Sequence, residues 1–195
     1  MTDNETLAVY AAKSNDYANL TGNAADTHLT AFIAALPEGG RALDLGCGPG
    51  FSAAAMAAAG MSVLATDAVA EMVALAAQHP GVEAVEQTFD GPLEAESFDG
   101  IWANFSLLHA PREDMPRLLA HLRKALKLGG LFHIGMKLGT GMHRDSIGRL
   151  YTYYGEEELV GLLTDAGLTV TERSHGNDIG LDGSRADWIC LRAHG

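Results

Sequence analysis

The 195-residue chain has 47% hydrophobic and 19% charged residues, the balance of a globular protein with one substantial hydrophobic core. Asp and Glu number 25 against 13 Lys and Arg, which gives a net charge of -12. Because nucleic acids and anionic membranes attract cationic surfaces, this charge disfavours both as partners.

The cysteine content and the N-terminus point to an intracellular protein. The chain has two cysteines, Cys47 and Cys190, which are far apart in the sequence and do not form the pattern of a disulfide-stabilised protein. The first residues are acidic and lack the basic-then-apolar pattern of a signal peptide. The most apolar tract, residues 53–65, is too short to span a bilayer. No spacing of His, Cys, Asp or Glu predicts a metal site. We therefore expect a cytoplasmic protein without metal or membrane anchor.

The first 36 residues predict two helices. Residues 5–20 are polar and alanine-rich, and the seven-residue spacing of Tyr10 and Tyr17 places both rings on one helical face. Residues 24–36 carry an apolar stripe, and the Pro and Gly residues at 37–40 end the second helix. This segment is too short to fold alone, so we expect a helical cap.

From residue 41 onward, short apolar strands alternate with helices. The predicted strands are 41–45, 62–66, 82–88, 98–104, 131–136, 168–173 and 187–192, and the predicted helices are 52–59, 69–78, 115–128 and 156–166. A glycine-rich loop is predicted at 137–150. This order predicts an α/β fold of the Rossmann-like, doubly wound type. It comprises a mostly parallel seven-stranded sheet, helices on both faces and the N-terminal cap.

A glycine-rich turn follows the first predicted strand of this fold. Gly46, Gly48 and Gly50 lie between strand and helix, where doubly wound sheets bind nucleotides. Glycines allow a ligand to approach the backbone, and the helix start offers free N–H groups. An alternative is that the turn is only structural. A second alternative is a nicotinamide-dependent oxidoreductase, but Phe51 occupies the third glycine of that fingerprint.

The segment 42–50 resembles the first motif of class I S-adenosylmethionine-dependent methyltransferases. Further segments resemble that family's pattern in chain order: 62–67, 87–90, 97–104, 107–109 and 123–131. In the last of these, Leu128 replaces the usual proline. The resemblance covers residues 38–136 well. It implies a single domain over 1–195, with a cap (1–37), a cofactor-binding core (38–136) and a substrate loop with the last strands (137–195).

The resemblance also implies which residues bind S-adenosylmethionine, with S-adenosylhomocysteine as the product. They are Asp44, Gly46, Cys47, Gly48, Gly50, Asp67, Ala68, Met72, Phe89, Asp90, Asn104 and Phe105. In the family, the acid at Asp67 bonds the ribose hydroxyls, and the acid at Asp90 contacts the adenine amine. Each acid also has a structural alternative. Asp67 can cap the following helix, Asp44 can cap the glycine turn, and Asp90 can belong to an ordinary turn.

Three regions supply candidate acceptor-binding and catalytic residues. Tyr10 and Tyr17 in the cap can place aromatic rings against a sulfonium cation, or can simply pack the cap onto the core. We expect Tyr17 and His109 to be catalytic, with His109 as a general base because its pKa lies near neutrality. The alternative for His109 is a backbone hydrogen bond.

The third region is the glycine-rich loop and the segment after it. It concentrates Lys137, Arg144 and Arg149 in an acidic chain, with Tyr153 just beyond. The loop resembles one in small bacterial methyltransferases of unassigned substrate. It suits a mobile lid that holds an anionic small molecule. The alternative is a solvated loop with local ion pairs such as Arg144–Asp145.

These observations together predict methyl transfer from S-adenosylmethionine to a small, anionic molecule by in-line displacement. Such a reaction needs the acceptor to be positioned and water to be excluded, so it requires neither a catalytic triad nor a metal. One alternative is a non-catalytic module that binds S-adenosylmethionine or a partner on the same fold. The oxidoreductase is the second alternative, which NADH binding would reveal. The oligomeric state is left open.

Overall fold

A computed structural model describes residues 3–21 and 26–195. The helices are α1 (Asn4–Ala12), α2 (Ser14–Thr21), α3 (Thr27–Ala35), α4 (Phe51–Ala58), α5 (Ala70–Ala76), α6 (Met115–Ala125) and α7 (Glu156–Asp165). The strands are β1 (Arg41–Leu45), β2 (Ser62–Asp67), β3 (Val82–Glu86), β4 (Phe98–Asn104), β5 (Leu126–Lys137), β6 (Met142–Arg144), β7 (Leu150–Thr152), β8 (Thr169–Ile179) and β9 (Arg185–His194). No helix among the described residues is both long and apolar enough to cross a membrane.

Seven strands form one sheet in the order β3-β2-β1-β4-β5-β9-β8. Strands β1 to β5 pair in parallel, and β9 pairs antiparallel with both β5 and β8. The predicted α/β fold with a mostly parallel seven-stranded sheet is confirmed. The strand order reverses between β1 and β4, and ligands bind doubly wound sheets outside the carboxyl ends of strands at such a point.

Alternating side chains of the central strands enter two hydrophobic clusters on opposite faces of the sheet. In β1, Leu43 and Leu45 join the cluster under α6 and α7, whereas Ala42 joins the one under α3 and α4. Gly100 in β4 lets the cap approach, because a Cβ there would lie 2.7 Å from Phe32 of α3 and from Leu36 just after that helix. The third cap helix is therefore part of the core packing.

The cap differs from the prediction in detail. Residues 5–20 form two helices rather than one, because the chain leaves helical geometry at Lys13 (φ -114°, ψ 17°). The rings of Tyr10 and Tyr17 still meet edge to edge, with centroids 5.6 Å apart. The predicted start of the next helix, at residues 24 and 25, lies outside the described residues. That helix begins at Thr27, after Asp26 accepts hydrogen bonds from two backbone N–H groups.

Several other predicted elements have different bounds, and two of them show why. Helix α6 ends at Ala125 rather than at Leu128, because Leu126 turns extended and pairs with Phe98 of the neighbouring strand. The loop predicted at 137–150 contains β6, which pairs antiparallel with β7. Strands of three residues carry too little alternation to be recognised in the sequence, so this local hairpin was predicted as a loop.

Candidate functional site

The glycine turn after β1 has a backbone conformation that favours glycine at three positions. Gly46, Gly48 and Gly50 all have positive φ, at 68°, 54° and 83°, which non-glycine residues rarely adopt. The N–H groups of Gly46 and Cys47 both donate to the carbonyl oxygen of Thr66 at the end of β2. A Cβ on Gly46 would lie 2.4 Å from the Cβ of Ser106. The turn therefore needs glycine to leave a cleft beside the strand ends.

Three adjoining cavities open at this edge of the sheet. The first, which we call the α1 lobe, measures about 70 Å³ and is covered by Thr6, Leu7 and Tyr10 of α1. The second, the turn lobe, measures about 510 Å³. The third, the aromatic pocket, measures about 210 Å³. Tyr17 lines all three, so the cavities meet at its side chain.

Most residues expected to bind the cofactor line the first two cavities. The α1 lobe is lined by Gly46, Gly48, Asp67, Ala68, Met72, Phe89, Asn104 and Phe105. The turn lobe is lined by Asp44, Gly46, Cys47, Gly48 and Asn104. Two of the expected residues lie elsewhere. Gly50 packs on α5, where a Cβ would come within 2.7 Å of Ala76. Asp90 is exposed and pairs with Arg117 at 3.4 Å.

Two buried polar atoms at the lobes lack a hydrogen-bond partner among the described residues. They are Oδ2 of Asp44 and Oγ of Ser106. Asp44 lines the turn lobe and Ser106 lines the α1 lobe. Buried polar atoms are normally satisfied, so these two atoms are available to bind groups of a ligand or a water on either side of the glycine turn. No sequence motif marked Ser106, which reaches the site because β4 ends beside β1.

Asp67 ends β2 with one backbone bond to each carboxylate oxygen. Its Oδ2 accepts from the N–H of Gly48 at 2.9 Å, and its Oδ1 accepts from the N–H of Val69 at 2.9 Å. The bond to Val69, which precedes α5, means that Asp67 also helps to begin this helix, as the capping alternative predicts. A carboxylate oxygen accepts more than one hydrogen bond, so both oxygens keep capacity for ligand hydroxyls. Burial raises the pKa of Asp67, and the backbone N–H bonds oppose that shift.

Asp44 is nearly inaccessible to solvent and carries a displaced pKa. Burial, opposed by a backbone hydrogen bond from Ala53 and assisted by the neighbouring carboxylate of Asp67, raises the pKa of Asp44 to about 7. A cationic ligand group in the turn lobe would favour the ionised form of this carboxyl. Asp67 and Ser106 at the α1 lobe can bind hydroxyl groups of a ligand, whereas Asp44 at the turn lobe can pair with a cation. The site therefore fits a ligand that has hydroxyls at one end and a cation at the other.

Phe105 follows β4 in an unusual backbone conformation. Its φ is 53°, and its N–H donates to the carbonyl oxygen of Gly135. A left-handed conformation costs about 1–3 kcal/mol in a bulky residue and persists only where the surroundings enforce it. Here it aims the ring so that it lines both the α1 lobe and the aromatic pocket.

His109 is held by hydrogen bonds on both ring nitrogens. Its Nδ1 lies 2.8 Å from the carbonyl oxygen of Leu150, which can only accept, so this nitrogen carries the proton. Its Nε2 then accepts from the hydroxyl of Tyr10 at 2.9 Å, and that hydroxyl accepts from Nη1 of Arg149. Burial lowers the pKa of His109 to about 4. The imidazole is therefore neutral and its lone pair is engaged, which favours positioning over general-base chemistry.

The basic residues expected to bind an anion occupy three different environments. Lys137 lines the aromatic pocket, with Nζ 3.9 Å above the ring of Tyr151. Arg149 also lines it but is buried against Asp145, with Nε to Oδ2 at 2.8 Å. Arg144 lies on the surface and pairs with Asp3 and Glu5 of the cap.

Tyr153 lines none of the three cavities and has its ring 5.8 Å from that of His143. Two pocket residues that sequence reasoning missed are Tyr151 and Trp188. Trp188 comes from β9, which pairs with β5 beside Lys137, and the pairing of two distant strands has no local signal. The part of the chain that the structure describes has no cluster of His, Cys, Asp and Glu that could hold a metal.

Comparison with known proteins gives a match over the strands that form this site. Residues 43–134 match the family model described as a methyltransferase domain. No curated protein matches the sequence significantly. A methyltransferase-domain match leaves the oxidoreductase alternative without support.

Several solved structures share the fold. A 1,6-didemethyltoxoflavin N1-methyltransferase from Burkholderia thailandensis, solved with 1,6-didemethyltoxoflavin and S-adenosylhomocysteine, has a TM-score of 0.77 at 22% identity, covering 97% of this chain and 87% of its own. An S-adenosylmethionine-dependent methyltransferase from Mesorhizobium loti has a TM-score of 0.68 at 21% identity, covering 85% and 96%. The (4+2)-cyclase SpnF has a TM-score of 0.72 at 17% identity, covering 96% and 93%. At these identities the likeness establishes the fold.

Proposed function

We propose that the chain is a class I S-adenosylmethionine-dependent methyltransferase that methylates a small, anionic molecule by in-line displacement, and the match of residues 43–134 to a methyltransferase domain supports this proposal. The carrying observation is the aromatic pocket, which adjoins the α1 lobe at Tyr10, Tyr17 and Phe105 and has Lys137 in its wall. We further propose that it acts in the cytoplasm without a nucleic-acid partner, which its net charge of -12 supports.

The residues of the two lobes fit S-adenosylmethionine. Asp67 would accept hydrogen bonds from the ribose hydroxyls, and the orphaned Ser106 hydroxyl would gain a partner in the same lobe. Asp44 would face the cationic methionine part, which favours its ionised form. Asp90 lines neither lobe and pairs with Arg117, so we assign no adenine contact to it.

The chemistry rests on positioning by the chain. When bound, S-adenosylmethionine supplies a methyl group on a positively charged sulfur, which leaves as the neutral thioether of S-adenosylhomocysteine. Tyr17, at the junction of the cavities, would face the reacting groups and exclude water from them. Tyr10 and His109 fix each other and the wall between the α1 lobe and the aromatic pocket. In this arrangement His109 is a positioning residue.

The Burkholderia methyltransferase supports a small-molecule acceptor, since 1,6-didemethyltoxoflavin occupies it in the crystal. The cyclase SpnF, in contrast, has the same fold and a different reaction. A direct test is therefore needed for this chain. Calorimetric titration with S-adenosylhomocysteine, with NAD as the comparison ligand, should show micromolar binding of the former alone. A folded protein that binds neither compound would contradict the proposal.

A further inference from the structure

We infer that the aromatic pocket binds a flat aromatic acceptor that carries an anionic group remote from the methylated atom, and that Lys137 selects this anion. The inference rests on the proposed function and names the substrate class for the same site. It combines three features of the pocket, which are its walls, its cation and its position relative to the cofactor lobes.

Aromatic side chains form the walls of the pocket. Trp188, Tyr151, Phe105 and Tyr10 all line it. The indole of Trp188 is fixed because its Nε1 donates to Oδ2 of Asp178 at 2.8 Å. Gly176 lies behind it, where a Cβ would come within 2.1 Å of the indole carbons. Such rigid rings favour a flat, unsaturated ligand through offset or edge-to-face contacts.

The rim and the volume of the pocket favour a compact apolar body. Ile179 lines the pocket and is 60% exposed, which is unusual for a large aliphatic side chain. The cavity of about 210 Å³ is smaller than the roughly 300 Å³ at which drug-sized pockets begin. These features together suit one ring or a small fused ring system.

Lys137 brings a cation into this apolar setting. Its side chain is half-buried, and among the described residues no hydrogen bond or ion pair engages its ammonium group. The nearest aromatic contact is the Tyr151 ring at 3.9 Å. By contrast, the other pocket cation, Arg149, already binds Asp145 and Tyr10. A partly desolvated ammonium without a carboxylate partner gains most from an anionic ligand.

The position of Lys137 separates the anion from the reaction. Lys137, Tyr151 and Trp188 line the aromatic pocket but neither cofactor lobe. Tyr10 and Tyr17 line both the aromatic pocket and the α1 lobe. A ligand with its anion on Lys137 therefore presents its opposite end at Tyr17. Lys137 is a specificity-determining residue that touches the acceptor away from the methylated atom.

Fluorescence of Trp188 provides a binding assay that does not depend on turnover. The probes are 4-hydroxybenzoate and 6-hydroxy-2-naphthoate, their neutral carboxamides, and adipate as a non-aromatic anion, all with S-adenosylhomocysteine present. The chain has two tryptophans, and Trp102 is buried against His133, so a Trp188→Phe variant isolates the signal. We expect the aromatic carboxylates to change Trp188 emission and bind about tenfold more tightly than their carboxamides, with no response to adipate.

Lys137→Met should abolish the preference for the carboxylates and leave the affinity for S-adenosylhomocysteine unchanged. Lys124→Met, which removes the same charge from an exposed position, should retain the preference. Equal binding of acids and amides, an unchanged preference in Lys137→Met, or no binding of any aromatic carboxylate would overturn the inference. Failure to bind S-adenosylhomocysteine, with Lys137-dependent carboxylate binding intact, would instead overturn the proposed function alone.

Discussion

At the scale of single residues, the site depends on carboxylates at the ends of two neighbouring strands. Asp44 and Asp67 are both shielded from solvent, and burial raises the pKa of each. Hydrogen bonds from two backbone N–H groups offset part of the cost of burying Asp67, whereas one oxygen of Asp44 has no partner among the described residues. Evolution rarely retains such a group for stability, because an ionised buried carboxylate destabilises the fold.

The raised pKa of Asp44 predicts that this carboxyl group lowers the stability of the folded protein at neutral pH. The folded protein holds a proton on Asp44 up to about pH 7, whereas the unfolded chain releases it near 3.8. Wild-type stability should therefore fall as pH rises from about 4 to 7, and Asp44→Asn should remove that fall, gaining on the order of 1–3 kcal/mol at pH 8. Urea unfolding across this pH range measures both effects.

The same variant should lose cofactor affinity. In the wild type, affinity for S-adenosylmethionine should rise with pH up to about 7 and then level off, because the cation favours ionised Asp44. Asp44→Asn should bind more weakly and show no such rise. Calorimetry in two buffers of different ionisation enthalpy would also detect the released proton. A wild type whose affinity is constant from pH 5 to 8 would remove Asp44 from the cation site.

Asp67 should matter for the cofactor where Asp90 does not. Asp67→Asn keeps an acceptor for only one of the two backbone N–H groups and loses the charge, so S-adenosylhomocysteine binding should weaken by about 1.5–3 kcal/mol. The matched variant is Asp90→Asn, whose carboxylate is exposed and pairs with Arg117. It should bind normally. Calorimetry on both proteins decides the point, and equal affinities would assign Asp67 a purely structural role.

Gly46 offers a test of steric requirement with an internal control. Gly46 and Gly39 have nearly the same φ, 68° and 66°, but a Cβ meets Ser106 at 2.4 Å in the first and open space in the second. Gly39→Ala should cost only the left-handed strain of about 1–2 kcal/mol. Gly46→Ala should lower the free energy of unfolding by more than this and should reduce S-adenosylhomocysteine affinity at least about tenfold. A second substitution, Ser106→Gly, should restore the part of both losses that comes from the steric clash. Identical unfolding free energies and affinities for the two alanine variants would disprove the steric argument.

At the scale of elements, the cap and the β6–β7 hairpin hold each other over the site. Thr6 of α1 accepts a hydrogen bond from the N–H of Leu150 at 2.8 Å, and Tyr10 accepts one from Arg149. Arg144 adds surface ion pairs to Asp3 and Glu5. The α1 lobe beneath is only about 70 Å³, far below a typical small-molecule pocket, so we expect α1 to shift outward when a nucleoside enters.

The two arginines of the hairpin segment should behave differently when replaced. Arg149 and Asp145 are both buried, at 3% and 5% side-chain exposure, so Arg149→Met leaves an unpaired carboxylate and should cost about 3–5 kcal/mol. Arg144→Met breaks only exposed ion pairs and should cost far less. Thermal unfolding of both variants measures the contrast. Similar losses in both would mean that the buried pair contributes no more than a surface pair.

At the scale of the whole molecule, the sequence predicted what periodicity and local motifs encode. The bounds of β1 and β4 follow from short apolar runs between turn residues, and the glycine turn lies where the motif placed it. The extension of β5 back to Leu126 depends on pairing with Phe98, which no local window contains. Such long-range pairings decide register, and they are absent from any pattern read along the chain.

The same distinction applies to the candidate site. Residues within motifs, such as Asp44 and Asp67, were predicted, and the structure places both beside the lobes. Ser106 and Trp188 were missed because they reach the site through strand order rather than through neighbours in sequence. Asp90 was expected at the cofactor on resemblance alone, but its bond to Thr88 and its pairing with Arg117 hold it at the surface.

Tyr17 borders all three cavities, and this shared wall makes their occupants thermodynamically interdependent. A ligand in one cavity that shifts the phenol ring of Tyr17 changes the wall that the next cavity presents to its own ligand. Linkage requires the effect to be reciprocal, so the cofactor tightens the acceptor by the same factor by which the acceptor tightens the cofactor. A single side chain on a cap helix thus connects the binding of the cofactor to the binding of the acceptor.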